Sequence, residues 1–134
     1  MNRRKLISAV QGICDSKGYE FRVLDSSALS AQSPSMPAAV LIEPKFQSIE
    51  GRKHGKITYR TTLYLFESGA RSMPEEVSEK IAQMERQMLD IFMQLSESEY
   101  VAVVDNLLME PALHSRLGRA EIGLKAVADV VVIF

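Results

Sequence analysis

The chain is poor in the features that usually announce chemistry, and each scarcity removes a class of function. It holds one cysteine, Cys14, so no internal disulfide can form, which fits a reducing compartment. His54 and His114 are its two histidines, and neither has a His, Cys or carboxylate partner at a metal-motif spacing. Sixteen basic and 17 acidic residues leave a formal net charge of −1, which gives no global footprint for nucleic acid, an acidic substrate or a membrane surface. No apolar run approaches the ~20 residues of a membrane span. There is no Gly-x-Ser-x-Gly elbow, phosphate-binding glycine loop or dinucleotide fingerprint. The expectation is a protein that is not an enzyme and uses no cofactor and no metal.

The start, Met1 to Lys5, is basic and precedes Leu6–Val10, which imitates the opening of a signal peptide. Gln11 and Asp15 interrupt the apolar stretch, and no small-x-small cleavage site follows. A cytoplasmic location, or one in an assembled particle, is expected. A length of 134 residues with 46% hydrophobic content fits a single domain over residues 1–134 with one core.

What is present is an order of hydrophobic periods. Leu6, Val10, Ile13 and Cys14 recur at helical spacing over residues 3–17, and Gly18 is placed as the C-terminal stop. Tyr19, Phe21 and Val23 then alternate, predicting a strand. Asp25–Pro37, rich in Ser and Ala with two prolines, predicts a loop. Residues 38–49 alternate again, with Val40, Ile42 and Phe46 on one predicted face and Glu43, Lys45 and Gln47 on the other. Pro44 cannot donate a ladder hydrogen bond, so this strand is expected at an edge or with a bulge there.

Ile57–Phe66 is the clearest strand, with Ile57, Tyr59, Thr61, Leu63 and Leu65 on one face. The turn between it and the previous strand holds Gly51 and Gly55, which predicts a hairpin. A long helix is predicted over Ser72–Leu95. Ser72 and Glu75 have the spacing of a capping box, and early glutamates complement the helix dipole. Val77, Ile81, Met84, Met88, Ile91 and Leu95 form one stripe. Leu89, Phe92 and Met93 widen it near the end, which is expected to be the most deeply buried part. Tyr100–Val104 is a strand candidate, and Asp105–Arg119 reads as either a hairpin arm or an excursion.

The closing segment, Ala120–Phe134, alternates with Ile122, Leu124, Ala126, Ala128, Val130, Val132 and Phe134 on one face. After Asp129 the other face becomes apolar too, through Val131 and Ile133. A strand apolar on both faces is covered on both. The coverage comes either from the two helices, one on each side, or from a second subunit. The fold class expected from all this is α+β: a mostly antiparallel curved sheet with a long helix packed across it and a shorter N-terminal helix.

Two sets of residues are the candidates for function. Arg52, Lys53, His54 and Lys56 concentrate charge at the hairpin tip, where they can meet phosphate or an acidic protein surface; otherwise they only keep a hairpin tip solvated. Nucleic-acid contact is possible there but not indicated. Val131, Ile133 and Phe134 are the candidate subunit interface. Cys14, on the apolar stripe of the first helix, reads as an inert core thiol. The methionines Met84, Met88 and Met93 read as core and not as an adaptable groove.

The arrangement carried by Arg3–Lys17, the hairpin Ala38–Phe66 with its Gly51–Gly55 tip, the helix Ser72–Leu95 and the strand Ala120–Phe134 resembles the tail terminator, or tail completion, proteins of long-tailed phages and prophages, and related head–tail joining proteins. The resemblance covers the whole chain as a pattern of elements. It implies a ring, a hexamer in that family's manner, that caps a tail tube, with other tail or head-joining proteins as partners. It carries over no functional residue, because the family has no short motif to match. The stretch Asp105–Arg119 departs from it, being longer and more apolar than a turn. The alternative from another class is a secretion-type peptide-binding chaperone dimer, whose small α+β members run helix, strands, helix, strands but finish in a helix. A small ligand-binding domain is third.

Overall fold

A computed structural model describes residues 2–24, 37–68, 74–116 and 119–134. The first helical period becomes α1 (Asn2–Ser16), and the long one becomes α2 (Pro74–Ser96). The alternating segments become β1 (Glu20–Leu24), β2 (Ala38–Gly51), β3 (Gly55–Ser68), β4 (Val101–Arg116) and β5 (Arg119–Ile133). The five strands make one open sheet in the order β1-β2-β3-β5-β4. The β1–β2 pair is parallel and the other three pairs are antiparallel. The fold is α+β, as the alternation of periods predicts. The loop expected over Asp25–Pro37, apart from Pro37, and the cap expected at Ser72 lie outside the described residues.

Gly18 ends α1 by the geometry its position predicts. Its φ is +83°, the left-handed region that glycine enters without a Cβ penalty. The Tyr19 N–H donates to the Cys14 carbonyl at 3.2 Å and the Gly18 N–H to the Asp15 carbonyl at 3.1 Å. This pair of bonds is a Schellman closure, and it satisfies carbonyls the helix end would otherwise leave free. Cys14 and Tyr19 are both buried beside it.

Both helices pack on one side of the sheet. α1 lies against β1 and β2, and α2 against β3, β5 and β4. Leu6, Val10 and Cys14 of α1 meet Met84, Met88, Ile91 and Leu95 of α2 in one core with Leu41, Leu63, Leu65, Ala126, Val130 and Val132 of the strands. Burying such a side chain stabilises by roughly 1.5–3 kcal/mol, as an upper bound. The N-terminus of α1 is fastened to the sheet by polar contacts. Arg3 pairs with Glu43 at 3.2 Å and lies over the Tyr59 ring, and the Tyr100 hydroxyl donates to the Lys5 carbonyl at 2.8 Å.

Three sequence expectations need correction. First, Leu89 and Met93 do not widen the buried stripe: Phe92 is buried, but Leu89 is half exposed and Met93 is 61% exposed. Their side of α2 turns past both α1 and the sheet. Second, Phe46 does not share a face with Val40 and Ile42. The register of β2 shifts between Ile42 and Lys45, where Glu43 and Pro44 together oppose one residue of β3. That bulge puts Lys45 on the face of Ile42, and Phe46 beside Tyr59 on the helix side. Pro44 also sits just past the end of β1's pairing, so its missing N–H has no ladder partner to lose. Third, α1 does not cover the second apolar side of β5, because it packs on the same side as α2.

Candidate self-association surface

The far end of the β2–β3 hairpin is shaped by its two glycines. Gly51 has φ +106°, and a Cβ there would stand 2.3 Å from the His54 carbonyl oxygen. A Cβ on Gly55 would stand 2.0 Å from the Glu50 carbonyl oxygen and 2.8 Å from the Phe134 ring. No other residue closes this turn without displacing backbone. The tight closure pushes Arg52, Lys53 and His54 into solvent, and Lys56 is exposed at the start of β3.

The chain's last residue reaches this tip. Phe134 donates its N–H to the Gly55 carbonyl at 3.0 Å and accepts the Gly55 N–H at 3.2 Å. Its ring lies against Gly55. The two candidate sets, the basic tip and the C-terminal strand, are therefore neighbours, which separate readings of the two segments could not show.

Around this end the sheet is apolar on both sides. On the helix side, past the ends of the helices, Phe46, Ile49 and Phe134 are exposed, with Phe46 and Ile49 directly across from Tyr59 and Ile57. On the other side Ile133 is 42% exposed and Val103 39%, with Val131 half-buried across from Val103 and Thr58. Residues 131, 133 and 134 thus divide between the two sides: Val131 and Ile133 on the open side, Phe134 on the helix side.

The open side extends up the sheet. Its rows run across β2, β3, β5 and β4 in register. Ile42, Thr62, Val127 and Leu108 form one, and Lys45, Arg60, Asp129 and Asp105 the next. Leu108 is 61% exposed. Higher up, Lys125 lies over the Tyr64 ring and pairs with Glu110 at 3.6 Å. At the β1 end the same side is closed: Leu24, Ala38, Val40 and Phe66 form a small buried cluster. Gly123 lets the Phe66 ring lie flat there, since a Cβ would meet it at 3.0 Å.

Sequence reasoning missed Phe46, Ile49, Leu108 and the charged row. Pro44 was the available signal for Phe46, because a bulge at that proline exchanges the faces just beyond it; a second register shift after Phe46 returns Ile49 to the helix side that alternation from Leu41 already gives it. Leu108 gave no signal, since β4 has two register shifts and so no steady alternation.

Elsewhere the chemistry is quiet. Burial pushes the Cys14 thiol up to about 12, with Asp15 adding to the effect, so the unreactive core reading fits. Burial likewise raises Tyr19 to about 12. His54 is an exposed turn residue. Among the described residues no group of three His, Cys, Asp or Glu side chains could hold a metal ion. A cleft of about 140 Å³ between α2 and the β4–β5 pair is lined by Ile81, Glu85, Met109 and Pro111. Ligand pockets usually occupy ~300–1,000 Å³. No helix among the described residues is long and apolar enough to cross a membrane. No family model matches the chain, and no curated protein matches it.

Proposed function

We propose that this chain is a non-enzymatic assembly protein that associates with copies of itself, in the manner of the tail terminator proteins it resembles. In this reading the hairpin end is an arm that reaches a neighbouring subunit, and repetition of that contact closes a ring on a tail tube. The observation that carries it is the exposure of apolar side chains on both sides of the arm, Phe46, Ile49 and Phe134 on one and Val103 and Ile133 on the other. Clustered exposed apolar side chains mark interaction surfaces more than isolated ones do. The basic tip residues Arg52, Lys53, His54 and Lys56 border the same surface and suit an acidic patch on the neighbour or on another tail or head-joining protein.

Light scattering over a range of concentrations tests this. The expected particle has about six times the 15.0 kDa of one chain. Phe46→Asp with Ile49→Asp is expected to abolish it while leaving the circular dichroism of the fold unchanged, since both positions are exposed. A native chain that stays monomeric at its highest attainable concentration overturns self-association. A stable dimer that also captures extended peptides points instead to the secretion-chaperone alternative.

A further inference from the structure

One row of the open sheet side carries its charges in an order that a single copy cannot satisfy. Lys45 stands directly across from Arg60, Arg60 from Asp129, and Asp129 from Asp105. From β2 to β4 the signs are plus, plus, minus, minus. Like charges directly opposite on neighbouring strands are destabilising, and this row holds two such pairs. At its centre the conflict is eased: Arg60 Nε lies 3.4 Å from Asp129 Oδ1, and Asn106 donates to Asp129 Oδ2 at 3.0 Å. Lys45 and Asp105, at the ends, have no ion-pair partner among the described residues. Beside the row lies Leu108, the most exposed apolar side chain of the open side.

We propose that this face docks a second copy of the same chain, related by a two-fold axis lying in the interface, parallel to the strands and between β3 and β5. That rotation lays plus, plus, minus, minus over minus, minus, plus, plus. Arg60 faces the partner's Asp129, and Lys45 faces the partner's Asp105. The neighbouring rows meet as well, Thr58 against the partner's Val131 and Leu108 against the partner's Ile42. The charge order selects this axis. A two-fold perpendicular to the strands would set Lys45 on Lys45 and Asp105 on Asp105.

Aligned sheets cross at about 30°, so register is best near the axis, where Arg60 and Asp129 stand. The long Lys45 side chain spans the drift at the rim. Four strands at ~4.8 Å and about seven residues at ~3.3 Å make a face roughly 20 Å each way. That is the small end of a specific interface, so a rapidly exchanging dimer is expected. A two-fold contact closes on itself. It needs no tail tube, and its centre is the charged row, outside the arm; only its edge row at Thr58 and Val131 adjoins the arm's open side, so it goes beyond that reading.

Charge exchange tests it by sedimentation. Lys45→Glu with Arg60→Glu makes the row all negative, and Asp105→Lys with Asp129→Lys makes it all positive. Each variant alone is expected to lose association at least tenfold, and an equimolar mixture of the two is expected to recover a dimer, which misfolded chains would not do. Should the Asp129 change unfold the protein, Lys45→Glu and Asp105→Lys, both at exposed unpaired positions, carry the same test. A native monomer at every concentration, variants that dimerise like the native chain, or folded variants that fail to rescue each other overturn the proposal. A six-fold particle indifferent to these changes also overturns it, and leaves the ring standing.

Discussion

On one side of the sheet Leu63, Leu65, Ala126 and Val130 are sealed beneath two helices; one residue along the same strands, Thr62, Tyr64, Val127 and Val131 remain partly in solvent. The difference does not lie in the strands' composition alone. Val130 and Val131 are the same residue type in the same strand, and only the first is fully buried. What separates them is where the helices went. Both α1 and α2 pack on one side, so the apolar character of the other side has no use within the described part of the chain except in the Leu24–Phe66 cluster. A side chain's chemistry says that it can be buried. The order of elements decides whether it is.

The widest separation between the two sides should appear in large-to-small substitutions. Ile91→Ala removes a fully buried side chain from the helix–sheet core and should cost about 2–5 kcal/mol in urea unfolding. Leu108→Ala, at the 61% exposed position on the open side, should change monomer stability by less than about 0.5 kcal/mol. Equal costs at the two sites would erase the distinction.

Gly123 marks where the open side stops being open. A Cβ there would lie 2.3 Å from the Ala112 carbonyl oxygen and 3.0 Å from the Phe66 ring. Backbone cannot yield as a flexible side-chain end can, so Gly123→Ala should cost about 1–3 kcal/mol in the same unfolding measurement. A neutral result would mean that the β4–β5 pairing tolerates a shift at that point. Gly18→Ala acts on the helix layer instead. At φ +83° an alanine pays the left-handed penalty of about 1–2 kcal/mol, read as a lower melting temperature with the sheet's own register unchanged.

Much of the covered side was legible in the sequence. The stripe through Met84, Met88, Ile91 and Leu95, the inward set of β5, and the glycine-closed hairpin all follow from local periods that the fold preserves. The failures share a cause, which is that they depend on non-local partners. Leu89 and Met93 fit the helical stripe as well as Phe92 does, and only the positions of α1 and the sheet leave them outside. Lys45 and Phe46 exchange faces because Glu43 and Pro44 fill one register step between them. β4 reads ambiguously in sequence because its register shifts twice and Asn106 adopts φ +55°, so no steady alternation announces its 16 residues. The charged row is the extreme case. Its four residues come from four strands, and even the two nearest in sequence, Lys45 and Arg60, stand 15 positions apart.

The smallest effect concerns the helix layer and depends on pH. Asp90 of α2 receives hydrogen bonds from the Lys17 ammonium at the end of α1 and from Gln94 Nε2 at 2.8 Å. The Lys17 bond first, then Gln94, hold its carboxyl below the usual carboxylate range. A carboxyl whose pKa is lower in the folded state adds stability above its unfolded pKa and loses it as pH falls through the folded value. The stability difference between the native chain and Asp90→Asn should therefore be constant near pH 7 and begin to shrink below about pH 5. It should reach its floor once both states are protonated. Because the Asp90 side of the pair is open to solvent, salt should shrink it as well. A difference that widened on acidification would mean that Asp90 is held by something other than Lys17, and that the α1–α2 layer is joined by its apolar contacts alone.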